Sequence, residues 1–176
     1  RRMFMTDYRN PSTVKQVFDL NINDRYADIG TPVTRTHANG TTLVRQDGDD
    51  IYLSGTGASP DGDRPFLRRM NLKTLQSEEM FRSGVEDYEA FVGLMNDDGG
   101  NFITRKESPV HPPNLYQRQS CPQGKVCTAM ASRQITDFKD PSPQLRDIRK
   151  QRVSYKRADG VDLSFTLYLP PGYKEG

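Results

Sequence analysis

Short apolar runs broken by turn residues run along this chain, and near its C-terminal end they become a strict alternation. Val161, Leu163, Phe165, Leu167 and Leu169 alternate with Asp162, Ser164, Thr166 and Tyr168, the period of a strand with one buried face. Gln151 to Arg157 precedes this stretch across Ala158-Asp159-Gly160, which predicts a β-hairpin. Further upstream, Thr41 to Arg45 and Ile51 to Gly55 flank Asp47-Gly48-Asp49. Asp-Gly between apolar strands marks a tight hairpin, because glycine accepts the positive φ such turns demand. Phe66 to Met70 and Glu78 to Arg82 predict another pair, joined through Asn71-Leu72-Lys73-Thr74. Strands are also expected at Tyr88 to Met95, Asn101 to Arg105, Asn114 to Arg118 and Ala131 to Asp137. Near the N-terminus, Arg2 to Tyr8 and Lys15 to Leu20 predict strands around an Asn10-Pro11-Ser12 turn. Asp24 to Val33 has little periodicity and reads as a connection.

Parts of this pattern recur. Asp47-Gly48-Asp49-Asp50-Ile51-Tyr52-Leu53-Ser54, then Ala58-Ser59-Pro60 and Arg64-Pro65-Phe66-Leu67, form one copy. Asp98-Gly99-Gly100-Asn101-Phe102-Ile103-Thr104-Arg105, then Glu107-Ser108-Pro109 and Pro112-Pro113-Asn114-Leu115, form the second. An offset of about 50 residues suits a four-stranded propeller blade. The fold class expected is all-β: about two complete four-stranded blades of a partial β-propeller, part of a preceding one, then a hairpin. Asp140-Pro141-Ser142-Pro143 breaks the pattern and predicts a domain boundary, dividing residues 1–140 from 141–176. Gln144 to Lys150 is expected to form a short helical turn.

Composition narrows the function classes. The net charge is +2, with cations and anions interspersed; without a basic stripe, nucleic acid is not an expected partner. The apolar runs are too short to cross a bilayer, so no membrane partner is expected. Eight Tyr and eight Phe spread along the chain argue against disorder. The chain opens on Arg1-Arg2-Met3 and closes on Pro170-Pro171-Gly172-Tyr173-Lys174-Glu175-Gly176. Both ends read as cut, which points to a fragment.

Candidate chemistry is sparse. Cys121 and Cys127 are spaced for a disulfide across a hairpin tip, which would stabilise by roughly 2 kcal/mol; two free thiols in a reducing compartment fit the same spacing. A periplasmic or exported location would suit the disulfide. His37 and His111 stand alone, without zinc-ligand spacing, and no cofactor is expected. Asp47, Asp49 and Asp50, like Asn96, Asp97 and Asp98, lack the calcium-loop spacing and read as turn acids. Gly55-Thr56-Gly57-Ala58-Ser59-Pro60 has no following Lys-Ser/Thr and reads as a structural loop, not a phosphate cradle. Arg64, Arg68, Arg69, Arg105 and Arg118 could serve a pocket for acidic side chains, since arginine pairs bidentately with carboxylates; structural ion pairs are the simpler expectation. No Gly-x-Ser-x-Gly elbow occurs, so no catalytic residue is assigned.

Val153-Ser154-Tyr155-Lys156-Arg157-Ala158-Asp159-Gly160-Val161-Asp162-Leu163, running on to Leu167-Tyr168-Leu169-Pro170-Pro171-Gly172-Tyr173, resembles the start of the α/β-hydrolase domain in the prolyl oligopeptidase family of serine peptidases. Tyr52-Leu53-Ser54-Gly55-Thr56-Gly57-Ala58-Ser59-Pro60-Asp61-Gly62-Asp63-Arg64-Pro65-Phe66-Leu67, with Asp24-Arg25-Tyr26, Glu107-Ser108-Pro109 and Pro112-Pro113-Asn114, is similar to the propeller of that family's glutamyl endopeptidase branch. The resemblance implies a propeller that gates a Ser-Asp-His hydrolase domain cutting peptides. The triad would lie outside this chain, which is then not itself an enzyme. Its implied partners are the peptide substrate, the remaining blades and the hydrolase domain. A non-catalytic binding propeller and an esterase on the same scaffold are the alternatives. An isolated piece is expected to self-associate through open strand edges or the Val161 to Leu169 face.

Overall fold

The computed structural model describes residues 1–120 and 131–174. Its strands pair antiparallel throughout, and the chain is an all-β protein.

Strands β1 (Arg2–Asp7) and β2 (Asn10–Asp19) form the first hairpin. Its reversal falls at Tyr8-Arg9, not at the expected Asn10-Pro11-Ser12. Pairing steps from Thr6–Val14 to Asp7–Asn10, so residues 11–13 bulge out of the ladder. Pro11 has no N–H to give that ladder, and a bulge is where a strand tolerates it.

The second unit contains β3 (Thr31–Pro32), β4 (Thr34–Thr36), β5 (Thr42–Val44), β6 (Gln46–Asp47), β7 (Asp50–Gly55), β8 (Ala58–Ser59), β9 (Gly62–Asp63), β10 (Phe66–Asn71) and β11 (Ser77–Arg82). A sheet runs β11-β10-β7-β3, with β6 also on β7, while β4-β5 and β8-β9 are small separate hairpins. The Asp-Gly hairpin is present but shorter than expected. Only Gln46 and Asp47 pair with β7, through Ile51 and Asp50; Thr42–Val44 folds back on Thr34–Thr36 instead. The Thr36 and Thr42 hydroxyls lie 3.0 Å apart across that pair. Gly48 has φ +57° at the first of the two turn residues, where a two-residue hairpin calls for glycine.

Strands β12 (Tyr88–Leu94), β13 (Asn101–Ser108), β14 (His111–Gln119) and β15 (Ser132–Gln134) form the expected four-stranded meander. The last strand stops short of Asp137 because Leu115 N–H turns from the ladder to the Thr136 hydroxyl, 2.8 Å away. A 3-10 turn, Pro143–Leu145, occupies the place of the expected helical turn. Strands β16 (Arg149–Lys156) and β17 (Asp162–Leu169) then pair along their full length.

The five-stranded sheet is covered on both faces. Tyr52, Leu67 and Phe81 pack with Phe102 and, at the margin, Phe91 and Leu94 of the four-stranded sheet. Ile51, Leu53 and Met70 pack on Val17, Met3, Met5 and Phe18 of the first hairpin. Burial on both faces explains why Ile51-Tyr52-Leu53 is a continuous apolar run. Phe102 meets Phe81 edge-on, with ring centroids 5.8 Å apart, a preferred aromatic geometry. In the last hairpin, Tyr155 and Phe165 meet edge-on at 6.1 Å, yet both are about half exposed, and Leu169 is the buried member of that face.

Candidate functional site

The charged side chain buried most deeply among the described residues of the meander is Glu89, on β12. It shares the inward face with Thr104 of β13 and Arg118 of β14. Arg118 Nε donates to Glu89 Oε1 at 2.8 Å and its Nη2 to Oε2 at 2.5 Å. Thr104 Oγ1 donates to Oε1 at 2.5 Å. Ser83 Oγ, beyond the end of β11, accepts the Glu89 N–H at 2.9 Å and donates to Asp87 O at 2.7 Å. The Arg118 guanidinium also lies 5.7 Å from the Phe81 ring centre, a cation–π distance. The carboxylate thus takes three donors from its own chain, two at Oε1 and one at Oε2, and the arrangement fastens two sheets together.

The other arginines are engaged separately. Arg69 pairs with Glu78 at 2.6 Å, Arg105 with Glu107 at 3.2 Å, and Arg68 approaches Glu79 at 3.8 Å. Arg64 donates from Nε to Ser83 O at 3.1 Å. The structure brings these five together in no common pocket. The acidic turns are likewise occupied: Asp49 pairs with Lys73, and Asp97 takes both Arg45 and Arg35. Among the described residues no three metal-ligating side chains converge. In the glycine-rich loop, Gly57 has φ +63°, and a Cβ there would stand 2.0 Å from the Arg64 carbonyl oxygen. Close backbone approach is what its glycine serves. Cys121 and Cys127 lie outside the described residues.

A cleft of about 610 Å³ lies between the ends of β13 and β14 and the segment that follows β15. His111 lines it, and its charges are paired: Lys106 with Asp87 at 2.6 Å and Arg146 with Asp140 at 2.7 Å. The Arg146 hydrogen bond, helped by the Ser142 N–H, holds the Asp140 carboxyl below its usual range. Asn114 closes the inner wall, buried within β14. Glu89 and Asn114 both escape a reading by composition. The available signal is position: each is a polar residue at an inward place in a strand, flanked by residues that alternate outward.

Tyr52 is fully buried, and among the described residues its hydroxyl has no hydrogen-bond partner. Burial, reinforced by Asp47, pushes its pKa up to about 12. The unfolded chain loses this proton first, near pH 10, so stability falls as pH rises from about 10 to about 12. Tyr52→Phe is expected to abolish that fall. At neutral pH it should leave stability unchanged or raise it by about 1 kcal/mol, because an unpaired buried hydroxyl is lost. Denaturant titrations of both proteins across that pH range measure each effect.

No family model matches the chain. A protein of Oryza sativa subsp. japonica named "Probable glutamyl endopeptidase, chloroplastic" is 39% identical over 171 residues, covering 89% of this chain and 18% of that protein. A protein of the same name from Arabidopsis thaliana is 35% identical over 179 residues, covering 93% of this chain and 18% of that protein. Over nearly its whole length the chain is similar to two proteins named as probable peptidases. It spans about a fifth of the length of these relatives. Among solved structures, AtxE2 isopeptidase with Astexin3-dC4 bound aligns with a TM-score of 0.47 and 14% identity, over 88% of this chain and 24% of that one.

Proposed function

We propose that this chain is a non-catalytic region of a larger serine peptidase of the prolyl oligopeptidase type, in its glutamyl endopeptidase branch. The observation that carries the reading is the 35–39% identity, over nearly the whole chain, to two proteins named glutamyl endopeptidase. The stack of a hairpin and two sheets, face against face, supports reading residues 1–140 as blades of a β-propeller. Residues 141–176 are then the linker and first hairpin of an α/β-hydrolase domain. In this reading the propeller screens what reaches a Ser-Asp-His triad elsewhere in the longer protein, which cuts peptides after acidic residues. The half-exposed ring pair of Tyr155 and Phe165 would be covered by that domain, and in the isolated chain by other copies.

Digestion of a mixed peptide library and of a folded protein by the longer protein tests this. Cleavage after Glu or Asp in the peptides, with the folded protein intact, is the expected result. Absence of cleavage in both would favour a propeller that binds without cutting.

A further inference from the structure

We propose that Asn39 is a site of spontaneous covalent modification: its side-chain amide cyclises onto the Gly40 backbone nitrogen, loses ammonia, and opens with water to aspartate or isoaspartate.

Asn39-Gly40 is the one Asn-Gly pair in the sequence, and the fold puts it at the tip of the β4–β5 hairpin. Two backbone bonds make that turn, from Gly40 N–H to His37 O and from His37 N–H to Thr41 O, each 2.9 Å. The Asn39 side chain closes a ring of its own, since its Oδ1 accepts the Thr41 N–H at 3.0 Å. Such an Asx turn spans the Gly40 peptide and folds the side chain back over it. Cγ is thereby held on the side of the nitrogen that attacks it. The same Thr41 N–H stands where the carbonyl oxygen gains charge during the attack, the place of an oxyanion donor. Gly40 has φ +82°, and a Cβ there would meet no atom within 4 Å, so no side chain screens the nitrogen.

Water and motion are both at hand. Asn39, Gly40 and Thr41 are exposed, as are all six residues of β4 and β5. The hairpin has three residue pairs and forms a sheet by itself. The Gly40 N–H is released from His37 O by local fraying, without unfolding of the core. Two other asparagines make the same turn with a different neighbour. Asn21 Oδ1 accepts the Asn23 N–H at 3.0 Å, and Asn71 Oδ1 accepts the Lys73 N–H at 3.0 Å. Ile22 and Leu72 follow them, and their side chains crowd the attacking nitrogen. Asn71 is further held by its Nδ2, which donates to Asp50 at 2.8 Å.

The bond from Gly40 N to Cγ forms as the bond from Cγ to Nδ2 breaks. The Gly40 proton passes through solvent to the departing ammonia. Water then adds to one of the two ring carbonyls and displaces the Gly40 nitrogen from it. Attack at Cγ gives an ordinary aspartate. Attack at the Asn39 backbone carbon routes the main chain through Cγ, which adds one carbon to a turn closed by two bonds. Either product brings a negative charge to the hairpin tip.

The test holds the folded chain and the longer protein in mildly alkaline buffer at physiological temperature. Peptide mapping follows the replacement of the amide by a carboxyl and separates the isoaspartyl form. Conversion at Asn39 is expected to be about tenfold or more faster than at Asn21 or Asn71, as an unscreened and oriented nitrogen implies. Gly40→Ala should slow it by about tenfold or more, through the added Cβ beside that nitrogen. Hydrogen exchange at the Thr41 amide should quicken as product accumulates, while exchange at Leu53 stays as it was. Conversion at Asn39 no faster than at Asn21, or seen only in denaturant, would overturn the proposal. Equal rates in the unsubstituted protein and Gly40→Ala would overturn the cyclisation onto Gly40.

Discussion

Arg118→Met is expected to destabilise the chain by about 3–5 kcal/mol, the cost of leaving a buried carboxylate without its partner. Glu89 has 5% of its side chain exposed and Arg118 16%, so water cannot replace the guanidinium. The Thr104 hydroxyl still donates to Oε1, but one neutral donor does not balance a buried charge. The two partners sit on β12 and β14, and Arg118 also stacks on Phe81 of the neighbouring sheet. The single change therefore loosens three strands and a sheet interface at once. Replacing both residues, as Glu89→Leu with Arg118→Met, should recover most of the loss, because an apolar pair carries no desolvation penalty. Guanidinium titration of the two variants decides it, read as a shift in midpoint at constant slope. A double variant no more stable than the single one would mean that the interface depends on the charges themselves.

Gly57→Ala is the second large effect. The residue has φ +63°, and its added Cβ would meet the Arg64 carbonyl oxygen at 2.0 Å and its carbon at 2.8 Å. Those atoms are backbone, and Arg64 N–H is itself bonded to Gly57 O at 2.9 Å. Neither partner can yield by rotating a side chain. The left-handed conformation alone costs an L-residue about 1–2 kcal/mol, and the displaced β8–β9 hairpin adds to it. A total of about 2–4 kcal/mol is expected, within the range of strained backbone positions. Gly40→Ala is the control: its φ is +82°, but no atom lies within 4 Å of the added Cβ. Its loss should be confined to the conformational part. Equal losses at the two positions would show that the close approach contributes nothing.

What was legible in the sequence is what short-range rules decide. The meander from β12 to β14 follows from local alternation, and the last hairpin from its Asp-Gly turn. The fate of Thr42–Val44 is different. Locally it fits either neighbour, and the outcome goes with Arg45, a residue tied to distant groups. Its guanidinium reaches the carbonyls of Leu94 and Asn96 and the carboxylate of Asp97. The displaced first turn has a similar origin, since Pro11 is accommodated by a bulge instead of a reversal. The arginines were visible as residue types, but their partners were not. Glu89 lies 29 positions from Arg118, and only the stacking of strands shows that one binds the other. Asn114 is harder still, because its partner is the backbone of Phe138, 24 residues away.

The most direct test of the central claim, that this chain is a non-catalytic part of a serine peptidase, is fluorophosphonate labelling of the longer protein beside the isolated chain. The account predicts that the longer protein alone takes the label, at a serine outside these 176 residues. Labelling of the isolated chain, or of neither protein, would contradict it.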